Sequence, residues 1–166
     1  MTPKQLSHEL RQGASPDLNR RRWIIGLSLL GTVAGQVVTL YQTGIIKRLP
    51  DLSLPFIDSN KVNASDYAYK RAQTPDAALM ILTYGLTIWS AAVGGKDRAD
   101  TNPALPIAMS LKTLVDTATN LKLAQEEWQD NKAFCAYCQA ASLLSLASVV
   151  LAAPEAARAI GNVLRR

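Results

Sequence analysis

The chain has 166 residues, a net charge of +5, 48% apolar and 6% aromatic residues, and a mean hydropathy near zero. That length fits one domain. Two cysteines and a single histidine, His8, exclude a disulfide scaffold and a four-ligand structural zinc site. The basic charge is no nucleic-acid signature, because the arginines flank apolar segments instead of lining a polar helix face with aromatic partners.

Residues 1–19 are polar and contain Pro3, Gly13 and Pro16, so they read as a flexible arm on the cytoplasmic side. Arg20, Arg21 and Arg22 then precede Trp23 and an apolar run through Ile46. At about 1.5 Å per residue, such a helix crosses a hydrocarbon core of about 30 Å. Trp23 and Tyr41 stand where interfacial aromatics belong. A basic run before an apolar core also fits a cleaved export signal, the twin-arginine type included. The run is long for a signal and more apolar segments follow, which favours a retained membrane helix.

Residues 47–75 form a polar connection with Pro50, Pro55 and Pro75. The second apolar segment covers 76–93, Gly94 to Asp100 make a turn region, and Pro103 opens the next helix. The third segment, 104–123, carries Lys112, Asp116, Thr117 and Asn120, which are costly against lipid. Lys112 and Asp116 are four apart, hence neighbours on one helix face that can turn inward as a pair. A solvated face of a soluble bundle is the other reading of this segment. The fourth segment runs from Ala133 to about Ala153, where Pro154 ends or bends it.

The only two cysteines open that last segment as Cys135-Ala136-Tyr137-Cys138. Two thiols at this spacing can close into a disulfide and reopen, and a helix start favours the thiolate. Two small buried apolar side chains would be the inert alternative. Gln139 after Cys138 gives no haem-attachment signal, and no βαβ pattern surrounds the pair. Four crossings that begin in the cytoplasm put the cysteines on the outer, oxidising face. Lys4, Arg11, Arg20 to Arg22, Lys96, Arg98, Arg158, Arg165 and Arg166 then lie inside, against Lys47, Arg48, Lys70, Arg71 and Lys132 near the outer boundary.

Four apolar helices with Phe134-Cys135-Ala136-Tyr137-Cys138 opening the last resemble the vitamin K epoxide reductase family. The stretch Asn63-Ala64-Ser65-Asp66-Tyr67-Ala68, leading through Thr74-Pro75-Asp76-Ala77-Ala78-Leu79 into the second helix, is similar to that family's loop and helix start. The resemblance covers residues 20–155. It implies an all-α fold, a four-helix transmembrane bundle with both termini cytoplasmic, followed by a basic tail over 156–166. It implies that Cys138 faces a quinone and that Cys135 exchanges disulfides with partner thiols. Ser65 matches the family's loop serine, whose hydroxyl can donate to a developing oxyanion; Tyr84 is a quinone contact by its position on the second helix. Family members usually carry a pair of loop cysteines; here there are none, and Ser59 falls where one is expected. Ser142 replaces the tyrosine that vitamin K enzymes carry one turn after the motif.

The expected protein is therefore an enzyme of the bacterial inner membrane, a thiol–disulfide oxidoreductase with its CxxC on the periplasmic side. It couples Cys135–Cys138 to reduction of ubiquinone or menaquinone, with no metal, and is served by membrane lipid and a separate thioredoxin-fold thiol protein. The alternative is a non-catalytic membrane binding or assembly module that keeps the fold.

Overall fold

A computed structural model describes residues 2–165, whose regular elements are all helices; Arg166, expected on the inner side, lies outside them. Helix α1 (Pro3–Gln12) starts in a capping box, with the Thr2 hydroxyl accepting from the Gln5 N–H and the Gln5 side chain accepting from the Thr2 N–H. Helix α2 (Pro16–Gln42) is capped by Ser15 and begins with proline, whose missing N–H costs nothing at that position. The N-terminal stretch expected as an arm is thus mostly helix, and α2 starts before the arginine run. Arg22 holds α1 to it by donating to the carbonyls of Leu10 and Gly13.

Short α3 (Ser59–Asn63) and a 3₁₀ turn (Asp66–Tyr69) fold the polar connection over one end of the molecule. Helix α4 (Asp76–Ala92) follows, then α5 (Arg98–Thr101), α6 (Ala104–Asn131) and α7 (Ala136–Leu164). Pro154 does not end α7, which continues through ten more residues. Packing of Ala152, Ala156 and Ala159 and the Glu155 ion pair hold the helix together across the lost hydrogen bond.

Helix α2 packs against α4 and α7, and α6 packs against α7 and α4. Two glycines set the closest approach. A Cβ at Gly31 would run into the Tyr84 ring, and one at Gly35 would lie 2.9 Å from Ile81 Cγ1. Small residues four apart allow helix backbones to meet this closely.

The two ends of the helices differ in chemistry. At one end Arg21, buried to 1% exposure, donates to the carbonyls of Ala91, Ala92, Val93, Gly94 and Gly95 and so caps the C-terminus of α4. Beside it Arg98 and Glu155, also 1% exposed, form a two-pronged pair at 2.8 and 2.9 Å. These two arginines, counted in the sequence as flanking charge, are structural.

Lys112, Asp116 and Asn120 of α6 point inward. Lys112 Nζ meets Asp116, the Thr83 carbonyl and the Thr87 hydroxyl, and Asn120 donates to Ser145 at 3.1 Å. Its other face exposes Leu111, Leu114 and Leu121. Leu29, Leu30 and Val33 on α2, Leu82 and Leu86 on α4, and Leu143, Leu146 and Val150 on α7 are exposed in the same way. By length and composition α2 and α7 are long and apolar enough to cross a membrane, and α4 is a shorter apolar helix.

Candidate redox site

The cysteines lie at the opposite end, under α3 and the 3₁₀ turn. Cys135 is the N-cap of α7, and its sulfur accepts the N–H of Cys138 at 3.3 Å. A second donor comes from the loop: Asn63 Nδ2 reaches Cys135 Sγ at 3.2 Å and the Ser59 carbonyl at 2.7 Å. Asn63 is itself held by Gln42 of α2, whose amide donates to Asn63 Oδ1 at 3.1 Å and to Asp76 of α4 at 2.7 Å. Ser59 accepts the Ala136 N–H at 2.9 Å and donates to Asp51 at 2.9 Å, tying the loop to the start of α7.

These donors act on the thiol. The Cys138 thiol bonding to Cys135, with help from Asn63, the Cys138 N–H and Ser59, outweighs burial and draws Cys135 down to about 7. Cys135 is nevertheless fully covered, packed with Val62, Tyr67, Ala68 and Ala133.

Cys138 faces the other way. It opens on a cavity of about 380 Å³ between α2, α4, α6 and α7, walled by Val38, Leu79, Met80, Val115 and Leu123. Asn120, Gln139, Ser142 and Ser145 supply polar groups there, and Tyr67, Arg71 and Asp76 stand at its loop side. A largely apolar cavity of this size with a few polar groups suits a small ring compound.

Of the residues singled out from sequence, Cys135 and Cys138 are brought together with Tyr84, which lines the cavity. The Tyr84 hydroxyl donates to the Ala141 carbonyl at 2.6 Å and lies 3.1 Å from the Ser145 hydroxyl. Ser65 is not in that wall. Its hydroxyl turns back to the Val62 carbonyl at 2.7 Å, because it stands two residues beyond α3, within reach of the last turn's carbonyl, which also takes the Ser65 N–H at 3.2 Å. Ser142, one turn after the motif, also bonds locally, to the Cys138 carbonyl at 2.9 Å.

Sequence reasoning missed Asn63 and Glu127. Asn63 stood inside the loop stretch with no role assigned; nothing in its spacing marks it. Glu127, 1% exposed near the end of α6, accepts the Cys135 N–H with one oxygen and the Gln139 amide at 2.9 Å with the other. Glu127, Cys135 and Cys138 bring one donor atom each within 4.8 Å of one another, the only grouping among the described residues that has metal-ligand chemistry. Three donors are one short of a closed zinc site, and the carboxylate already serves two N–H donors.

Residues 22–153 match the Vitamin K epoxide reductase family. No curated protein and no solved structure matches the chain. With the match spanning most of the sequence and the cysteine pair opening α7 inside it, the chain belongs to the vitamin K epoxide reductase family, whose members are membrane thiol oxidoreductases associated with quinones.

Proposed function

We propose that the protein passes two electrons from a partner dithiol through Cys135–Cys138 to a quinone held in the cavity beside Cys138. The carrying observation is the two-sidedness of the pair: Cys138 opens on an apolar cavity inside the helices, while Cys135 lies under the loop. A partner thiolate attacks the Cys135–Cys138 disulfide at Cys135, Cys138 leaves as thiolate, and a second partner thiol releases the partner as its own disulfide. The reduced pair then re-forms its S–S bond, and its two electrons and two protons convert quinone to quinol. Tyr84 shapes the cavity wall, and its hydroxyl, shared with Ser145, is the nearest thing on α4 to a ring-oxygen contact. Ser65, with its hydroxyl turned to Val62, supports the loop and leaves the sulfur contact to Asn63.

In this reading α2, α4, α6 and α7 form a four-helix transmembrane bundle within residues 20–155. The Arg21 and Arg98 end and both termini lie in the cytoplasm, and the cysteine end is periplasmic. Exposed Trp23 and Trp89 at the arginine end support an interface there. The partner is a separate thioredoxin-fold protein, and ubiquinone or menaquinone is the acceptor. Because Cys135 is covered, the partner reaches it only when the 59–69 segment is displaced.

Purified protein in detergent with dithiothreitol and a short-chain quinone should form quinol, and Cys135→Ala and Cys138→Ala should abolish it. Turnover by these variants at the wild-type rate would refute the reading. The covered Cys135 and the cysteine-free loop favour one rival, a non-catalytic assembly module. Cys138→Ala expressed in cells separates the two: an oxidoreductase accumulates a mixed disulfide through Cys135, and an assembly module does not.

A further inference from the structure

Among the described residues, Glu127 brings a carboxyl group close to both sulfurs. It is 1% exposed and lines the same cavity as Cys138. A carboxyl oxygen and both sulfurs lie within 4.8 Å of one another, within the span of one bridging water. Its two hydrogen bonds come from neutral donors, the Cys135 N–H and the Gln139 amide. No ion pair to it is formed among the described residues, although Glu126 beside it takes Lys70 and Arg71. A carboxylate buried without a cation is costly, so proton uptake relieves it. The charged and titratable groups facing it are Cys135 and Cys138 from α7, Asp76 from α4, and Tyr67 and Arg71 from the loop side. Only Arg71 among these is a cation, and it is engaged with Glu126 at 2.7 Å.

We propose that Glu127 is the proton-holding residue of the cysteine pair, taking the protons that the thiols release on oxidation and handing them into the cavity. This rests on the quinone reading above and adds the proton path to it. In one turnover two S–H bonds break, one S–S bond forms, and the electron pair leaves to the quinone. Glu127 takes each proton in turn on its carboxylate and releases it to the cavity side, where two O–H bonds form. The carboxylate ends as it began. Anchoring to the Cys135 N–H keeps it beside the sulfurs, and the Gln139 amide fixes its second oxygen.

The test has two arms. The first is quinol formation from dithiothreitol and a short-chain quinone, measured against pH. Glu127→Gln keeps an acceptor for the Cys135 N–H and removes the titrating group. It should lower kcat about 100-fold, the usual scale of a proton-transfer residue, leave KM for the quinone within about twofold, and reduce the acid limb of the profile to the share set by the thiols alone. Glu127→Asp should recover part of kcat and keep that limb. A Glu127→Gln protein with the wild-type limb and rate overturns the proposal.

The second arm needs no quinone. In a Cys135→Ser background, iodoacetamide labelling of Cys138 is followed against pH. A thiol coupled to a neighbouring carboxyl titrates in two steps, and adding Glu127→Gln should leave one step at lower pH, since a nearby negative charge is gone. Should wild type form no cysteine-dependent quinol, the quinone reading falls, and labelling still decides Glu127: a shift to one step supports it and an unmoved curve overturns it. If Glu127→Gln fails to fold, a single-step curve in the Cys135→Ser protein alone overturns the proposal, and a two-step curve kept in Glu127→Asp supports it.

Discussion

Replacing Asn63 by alanine should slow the chemistry of Cys135 at neutral pH and speed it at high pH. Asn63 is buried and donates directly to the sulfur at 3.2 Å. A hydrogen bond to a charged group contributes about 1.5–3 kcal/mol. Divided by about 1.4 kcal/mol per pKa unit, its loss raises the Cys135 midpoint by roughly one to two units. The donor favours the charged form, so removing it lifts a midpoint that stands at about 7. At pH 7 the thiolate fraction then drops from about one half to between roughly a tenth and a hundredth, a loss of about five- to fiftyfold. A more basic thiolate is also a better nucleophile, by about threefold per unit. The net slowing at pH 7 is therefore only about two- to sixfold, and above about pH 8 the variant overtakes wild type. The assay is iodoacetamide labelling between pH 5 and 11 in detergent, read at the Cys135 peptide by mass spectrometry. Asn63→Ala also strands the Gln42 amide on that side, so cooperative melting is the control. An unmoved midpoint in a variant that still melts cooperatively would refute the role given to Asn63.

Three further substitutions test the frame. Gly31→Ala should force α2 from α4 and drive the Tyr84 ring off the Ala141 carbonyl, costing about 1–3 kcal/mol; an unchanged melting temperature in detergent contradicts the close approach. Glu155→Gln leaves the Arg98 guanidinium buried without its counter-charge and should cost about 3–5 kcal/mol. Equilibrium unfolding in SDS measures this, and wild-type stability would mean that the pair is not buried as described. Lys112→Ala strands Asp116 inside the helices, and the Lys112→Ala/Asp116→Asn double variant should recover most of the loss, with a coupling of about 0.5–3 kcal/mol. Additive single effects on the same unfolding measure would disprove the inward pair.

The helices themselves could be read along the chain. Long apolar runs, Pro103 before α6 and the thiol pair at the start of α7 are local signals, because caps and prolines act within one turn; Ser15-Pro16 is the same kind of signal for α2, but it was read as part of an arm. The spacing of Lys112 and Asp116 likewise announced a shared face, although only the packing of α6 on α4 shows that they point inward to Thr83 and Thr87. Pro154 misled as a stop, since propensity there is overridden by packing on both sides of it.

The redox motif was legible by itself, because its chemistry depends on a fixed spacing of two residue types. Its surroundings were not. Asn63 meets Cys135 across 72 positions of sequence, Tyr84 meets Ala141 across 57, and Ser59 meets Ala136 across 77. Ser65 sits two residues from Asn63, yet a backbone carbonyl claims its hydroxyl while Asn63 takes the sulfur. Which of two neighbouring polar side chains reaches a thiol depends on the turn of the chain in the loop, not on residue type. Sequence alone thus determined the four apolar helices, the cysteine pair and the family to which they point. Tertiary structure decided that one sulfur faces a cavity and the other a loop, and that a carboxyl without a cation lies beside both, since burial and long-range hydrogen bonds arise only once the helices pack.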